Sequence, residues 1–213
     1  MGKKGPKPKK LVDTKWSGNF AYAMGLLATD GCLAGKTTLV DLTSKDKEQL
    51  LNFNKCIGVD LKIGIKDSGS HHKAWRVQIK NRIFYDFLLS IGLSPAKSKT
   101  ISEIKIPDQY FFDFLRGCFD GDGCFYSYWD PRWKSSFMFY TGFASASPKF
   151  ISWLQNKIYN DLGFRGHIAK DGRGITEQLK YAKADSIKLL KRMYHSSGVV
   201  CLSRKKLKMA KVF

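Results

Sequence analysis

Acidic side chains are scarce in this chain. Eighteen Asp and Glu stand against 37 Lys and Arg in 213 residues, a formal net charge of +19. So lopsided a balance points to a polyanionic partner, nucleic acid first, because neutralising phosphates releases condensed counterions. Cysteine is sparse and unpaired in pattern: Cys32, Cys56, Cys118, Cys124 and Cys201 form no C-x-x-C. That suggests neither a zinc site nor a disulfide framework. Most of the five are expected to fill core space, which fits a reducing, intracellular setting, prokaryotic cytoplasm or organelle matrix. No apolar run reaches membrane-spanning length and no signal-peptide pattern opens the sequence, so no membrane partner is expected. What is abundant is apolar surface: 43% hydrophobic and 14% aromatic residues are enough for a real core.

Two stretches read as the same short helix ending in an acid and a glycine. The first is Ala23-Met24-Gly25-Leu26-Leu27-Ala28-Thr29-Asp30-Gly31, the second Leu115-Arg116-Gly117-Cys118-Phe119-Asp120-Gly121-Asp122-Gly123. Their last acids lie about half a chain length apart, so each helix opens one half of an internal duplication. The intervening patterns agree. In the first half a helix over 20–29 precedes a hairpin whose clearest strand is 36–43. A helix capped by Ser44 runs to Ile57, then come strands at 61–66 and 75–80 around a polar turn, and a helix over 81–91. The second half repeats that order: a helix over 108–122, strands at 124–128 and 137–146, and a helix from the Ser147 cap and Pro148 to about 162. Strands at 167–170 and 178–183 follow, then helices over 185–195 and 202–212. The sequence thus predicts an α+β fold of two pseudo-symmetric αββαββα repeats. Residues 1–14 form a basic, flexible arm, 15–93 the first repeat, 94–107 a linker and 108–213 the second repeat.

A sheet covered by helices on one face leaves the other open. Val77 and Ile79 face one way, and Arg76, Gln78 and Lys80 the other. In the long second-half strand Phe137, Phe139 and Phe143 point inward, leaving Met138, Tyr140, Gly142 and Ala144 outward. Two such curved open faces, related by an internal two-fold with the motif helices packed between them, make a saddle for DNA.

A helix C-terminus already carries negative partial charge, so a carboxylate there is disfavoured, and two side by side more so. A divalent cation resolves the conflict, and Mg²⁺ suits carboxylate oxygen, water and substrate phosphate. Asp30 and Asp122 are therefore candidate metal ligands. Gly31 and Gly123 are expected in the left-handed conformation, turning their carbonyls toward the metal. Gly25 and Gly117 allow the two helix backbones to approach closely. Two look-alikes fail. Gly31 to Thr37 resembles a Walker A loop but is one residue short and follows a helix. Asp120-Gly121-Asp122-Gly123 opens like an EF-hand, yet Cys124 replaces a ligand and Pro131 falls where the closing Glu belongs. His71 and His72 lie in a polar turn without other ligands.

The two motifs, their interval and the αββαββα duplication resemble the LAGLIDADG homing endonucleases in their single-chain, two-repeat form. The likeness covers nearly all of the chain after the basic arm. The first repeat departs from the pattern, with Ala23 and Met24 for its first two letters and Ala28 for its first acid. The second has Arg116 at its second position and keeps Asp120, which is expected to support rather than ligate. The resemblance implies a monomeric, intron-encoded enzyme that cuts one phosphodiester on each strand of a specific duplex and leaves short 3′ overhangs. It implies Mg²⁺ as cofactor, Mn²⁺ as a substitute and Ca²⁺ as a support for binding without cleavage. By position it adds Lys97 and Lys205, with Lys99 a rival to Lys97, and Ser44 and Ser147 to the catalytic set. Base readout falls to outward strand positions: Lys36, Thr37, Asp41, Arg76, Gln78, Lys80, Tyr126, Tyr128, Tyr140, Gln178 and Lys180. Two other readings share the fold: a maturase acting on intron RNA, and a non-catalytic DNA-binding regulator. An intein context is disfavoured, since no splicing segments are recognisable. Retention of both final acids favours the nuclease.

Overall fold

The computed structural model describes residues 9–67, 73–172, 174–210 and 212. Most of the basic arm, the polar turn with His71 and His72, Arg173 and Lys211 lie outside the described residues. Helix α1 (Gly18–Thr29) begins earlier than the sequence pattern indicates, because the Ser17 hydroxyl accepts the Phe20 N–H at 3.1 Å and caps it. Every residue of α1 from Phe20 to Ala28 is buried, which suits a helix that is apolar all round. Helix α4 (Phe111–Asp122) is its counterpart, entered through a 3₁₀ turn, Asp108–Tyr110, where a full helix was expected. The two pack lengthwise on glycine. A Cβ on Gly25 would overlap the Phe114 carbonyl, and one on Gly117 would overlap the Tyr22 carbonyl and lie 3.0 Å from Gly25 Cα. Glycine inside a helix costs about 1 kcal/mol against alanine. Here that cost is offset by backbone-to-backbone contact no side chain would permit.

After α1 come β1 (Gly31–Leu33), β2 (Leu39–Ser44), α2 (Lys47–Ile57), β3 (Gly64–Asp67), β4 (Lys73–Lys80) and α3 (Arg82–Ser90). After α4 come β5 (Cys124–Trp129), β6 (Phe137–Ser145), α5 (Pro148–Leu162), β7 (His167–Lys170), β8 (Glu177–Ala182), α6 (Lys183–Met193) and α7 (Ser203–Met209). Each half folds an antiparallel four-stranded sheet, in order β1-β2-β4-β3 and β5-β6-β8-β7. The repeated order is the duplication in three dimensions. Inward side chains meet in register, Val40 opposite Ile79 and Leu42 opposite Val77, while Phe143 opposes Leu179 and both are buried.

Several boundaries move for physical reasons. Lys36 and Thr37 lie in the β1–β2 turn, since β2 pairs with β4 only from Leu39 onward. The third strand starts at Gly64, where pairing to Arg76 begins. The Leu61 carbonyl is instead taken by Asn54 Nδ2 at 2.7 Å. Asp46, and not Ser44, occupies the N-cap of α2; the Ser44 hydroxyl accepts the Asp46 N–H at 3.1 Å. Ser147 does precede Pro148 at the start of α5, but its buried hydroxyl donates to the Ile101 carbonyl at 2.5 Å rather than capping. Strand β8 and helix α6 each begin slightly before the expected residues, and α7 spans only Ser203–Met209. Of the cysteines only Cys56 and Cys118 fill the core; Cys32 and Cys124 are exposed and Cys201 is half-buried. That overturns the expectation that most are buried, because β1 and β5 turn Cys32 and Cys124 to the open face.

Helix α7 crosses back to the first half. Arg204 forms a two-pronged ion pair with Asp46 at 2.9 and 2.6 Å, Ser203 Oγ donates to Glu48 at 2.5 Å, and Asn52 donates to the Cys201 carbonyl at 2.9 Å. Among the described residues no helix is long and apolar enough to cross a membrane.

Candidate active site and nucleic-acid face

The glycine seam brings the C-terminal ends of α1 and α4 together. A Cβ on Gly121 would stand 3.1 Å from Asp30 Oδ2, so Asp30 lies against the last turn of α4. Burial pushes the Asp30 carboxyl up to about 6, and the Asp122 carboxylate adds to the rise. A hydrogen bond from Gln49 and the charges of Lys205 and Lys97 oppose it. Burial also raises Asp122, against the same two lysines. The acids and lysines therefore share one electrostatic cluster, with a cleft of about 280 Å³ lined by Thr29, Lys97, Asp122 and Ser145.

Both lysines are buried, at 5% exposure for Lys97 and 7% for Lys205, whereas Lys99 is exposed. Lys97 Nζ donates to the carbonyls of Gly31 at 2.5 Å and Thr29 at 3.3 Å. Lys205 Nζ donates to those of Phe119 at 2.5 Å, Gly123 at 2.7 Å and Gly121 at 3.1 Å. Each ammonium thus sits on the negative end of its own half's motif helix, the favourable place for a cation. Burial lowers both lysines, and the nearby acids pull them back up.

Gly31 and Gly123 are not left-handed. Gly31 is the first residue of β1, Gly123 is extended (φ −75°, ψ 157°), and neither has a positive φ. Glycine is required there by space. A Cβ on Gly31 would come within 2.6–2.8 Å of Leu27, and one on Gly123 within 2.6 Å of Phe119, because the chain doubles back over the last helical turn.

One residue at the site escaped the sequence reading. Gln49, 2% exposed, donates through Nε2 to Asp30 Oδ2 at 2.7 Å and accepts the Ser44 hydroxyl on Oε1 at 2.9 Å. A signal existed: Gln49 is a polar interruption in the buried stripe of α2 that includes Phe53 and Cys56. Ser44 therefore reaches Asp30 only through Gln49. In the second half the position third after the cap is Phe150, 3% exposed. Among the described residues no side-chain donor of that kind reaches Asp122. Asp120, 1% exposed, faces the core, where its Oδ2 accepts Tyr22 OH at 2.8 Å and the Leu202 N–H at 2.7 Å. Burial raises its carboxyl to about 6, against those hydrogen bonds. Arg116, also buried, holds the Val200 carbonyl at 2.9 Å, the Met193 carbonyl at 2.6 Å and Asp113 at 2.7 Å.

The donor set fits a hard cation: a half-buried Asp30 and a solvent-open Asp122 that repel one another, with carbonyl oxygens beside them. Among the described residues no cluster of three or more His, Cys, Asp or Glu converges. A metal here would depend on water and a ligand phosphate to complete its shell. A concavity of about 720 Å³ lies at the opposite ends of the same helices, around Ser17, Tyr110, Asp113, Arg116 and His195. Its Asp113 is already paired with Arg116 at 2.7 Å and His195 at 3.3 Å.

On the open face of the first sheet, Asp41 lies opposite Gln78 and accepts from it and from Thr43, both at 2.8 Å. Arg76 stands opposite Thr43, and Lys80 opposite Leu39. Lys36 and Thr37 are exposed in the β1–β2 turn. On the second sheet Tyr126, Tyr128 and Tyr140 share the open face with Gln178, opposite Ala144, and Lys180, opposite Gly142.

No family model matches the chain, and no curated protein sequence does. Solved structures do. The chain resembles the N-terminal LAGLIDADG domain of DUF199/WhiA at 15% identity, over 94% of this chain and 92% of that one, with a TM-score of 0.55. It resembles I-DmoI in complex with DNA and Ca at 16% identity, over 90% and 97%, with a TM-score of 0.59. It resembles the meganuclease I-SmaMI bound to uncleaveable DNA at 15% identity, over 92% and 87%, with a TM-score of 0.57. The architecture is therefore the LAGLIDADG fold, an α+β arrangement of two helix-backed antiparallel sheets. Its relatives by shape include homing endonucleases bound to DNA.

Proposed function

We propose that the chain is a site-specific double-strand DNA endonuclease that hydrolyses one phosphodiester on each strand and leaves short 3′ overhangs. The observation that carries this reading is the meeting of Asp30 and Asp122 at the joined ends of α1 and α4 in a strongly basic chain. A pure binder has no need of two adjacent, mutually repelling carboxylates, one half-buried and one open to solvent. The solved relatives include I-DmoI structures with DNA and Mn, Ca or Mg, in keeping with a divalent cation. Asp30 and Asp122 would hold it, with the second lone pairs of the Gly31 and Gly123 carbonyls available beside them. When bound, the cation, Mg²⁺ by preference, activates water and stabilises the leaving oxygen.

The chain's own groups do the rest. The two open sheets form the saddle that holds the duplex, with Arg76, Gln78, Lys80, Gln178 and Lys180 turned toward base edges and phosphates. Water adds to phosphorus as the bond to the 3′ oxygen breaks, and the water proton ends on that oxygen. Lys97 and Lys205 place buried positive charge where negative charge grows on the phosphate. Ser44 orients Gln49, and Gln49 holds Asp30 in position; Ser147 fixes the start of α5 on the second side. One chain supplies both acids, so a monomer suffices.

The test is cleavage of duplexes selected from a randomised library with Mg²⁺, with Ca²⁺ for binding alone. Asp30→Asn and Asp122→Asn should each abolish double-strand cutting and keep duplex affinity within about threefold. Cutting retained by both variants overturns the assignment. A second reading, a DNA-binding regulator, draws on the lysines that already occupy the Gly31 and Gly123 carbonyls. It predicts specific binding and no cleavage by the unaltered chain with any divalent cation.

A further inference from the structure

The open face of the second sheet carries a different chemistry from the first. Tyr126 and Tyr140 are cross-strand partners with ring centroids 5.0 Å apart and planes 14° from parallel. Tyr128 continues the row, 6.4 Å from Tyr140 and 11° from parallel. Three phenol rings thus stand nearly parallel, with Tyr140 packed against both of the others. Strand side chains stand roughly perpendicular to their sheet, so the row presents ring edges and hydroxyls outward. That geometry is poor for stacking unpaired bases, which needs free ring faces. It offers instead an apolar edge, extended on β6 by Met138 and Ala144. In the first sheet the positions equivalent to Tyr140, Gly142 and Ala144 are Leu39, Asp41 and Thr43, paired across to Lys80, Gln78 and Arg76.

In the major groove, the base-pair feature matched by an apolar contact is the thymine C5 methyl, while arginine and glutamine read guanine and adenine by paired hydrogen bonds. We propose that the second sheet adds to Gln178 and Lys180 a recognition of thymine methyl groups held against Tyr126, Tyr128, Tyr140, Met138 and Ala144, whereas the first sheet reads chiefly by hydrogen bonds. This rests on the duplex-binding reading above and names the base chemistry each half selects.

The experiment replaces thymine by deoxyuridine, which removes the methyl and keeps the pairing. Targets are selected with Ca²⁺, and the half-site under the second sheet is the one whose selected sequences shift with Tyr140→Ala. Tyr126→Ala gives the same assignment should that variant not fold. Each thymine in either half is then replaced singly and duplex affinity measured. Burying one methyl corresponds to about a fourfold change in affinity. The expected result is a loss of about fourfold per contacted thymine in the second half, and under twofold in the first. Tyr140→Phe should keep that sensitivity and Tyr140→Ala should lose it at the positions it covers. Equal losses in both halves, no loss in the second, or a second half-site selected without thymine overturns the proposal and leaves duplex recognition standing. A chain that enriches no duplex at all overturns both.

Discussion

The two halves of this chain share their frame and differ in what they mount on it. Strand order, helix placement and the acid at each motif end repeat. The surroundings of those acids do not. Asp30 receives a side-chain hydrogen bond from Gln49, while the matching position in α5 is apolar Phe150. Only the second half has Asp120, which ties α4 to Tyr22 and to the backbone of Leu202. The open faces diverge as well, hydrogen-bonding side chains on one and a tyrosine row on the other. Duplication fixes what packing demands of both copies, chiefly glycine at the seam. Residues that touch a ligand are free to specialise.

The comparison breaks most completely at the seam. Gly117→Val would drive two methyl groups into the Tyr22 carbonyl, where only backbone fits. We expect a loss of about 3 kcal/mol or more, read by urea denaturation, with the halves no longer unfolding as one. Next comes the acid pair. The Asp30 carboxyl lies at about 6 in the fold against an ordinary 3.8. Between those values the folded chain holds a proton that the unfolded chain has released. Stability therefore falls as pH rises through that window, and the whole penalty is present above it. In chelated protein Asp30→Asn should gain on the order of 2–3 kcal/mol at about pH 7.5, shrinking through about pH 6 and gone near pH 4. Denaturation curves across that range check the sign.

Gln49→Leu makes the two acids alike by removing the donor from Asp30. One strand should then be cut about tenfold more slowly, with nicked duplex accumulating in a supercoiled-plasmid assay, while the other keeps its rate. Equal slowing of both strands would show that the asymmetry has no catalytic weight. The smallest effect separates the faces. Arg76→Ala should reduce the slope of log affinity against log salt by about 1. Tyr126→Ala should weaken binding and leave that slope unchanged.

Much of this was legible in the sequence because it is local. Small residues, an Asp-Gly stop and alternating strands state their roles within ten residues, and the repeat doubles each signal. Strand ends were less legible, because pairing partners set them: Lys36 lies in a turn because β4 ends at Lys80, the partner of Leu39. The handedness of Gly31 and Gly123 was misjudged for a related reason. Asp-Gly does end each helix, but the constraint on glycine is crowding by Leu27 and Phe119, which appears only once the chain folds back. Gln49 was hidden because a polar residue on a mostly apolar stripe names no partner, and Asp30 lies 19 positions away. The lysines were found through family resemblance. Their contacts with helix-end carbonyls are long-range, 66 positions for Lys97 to Gly31 and 82 for Lys205 to Gly123.

Helix α7 spans the molecule late in the chain, joining Arg204 to Asp46 across 158 positions and carrying Lys205 to the end of α4. During synthesis the first half is complete long before that clasp emerges. A nascent or prematurely stopped chain would hold Asp30 and Gln49 yet lack the cation on its partner helix. The cation on the end of α4 thus depends on a helix that is itself clasped to the other half of the molecule.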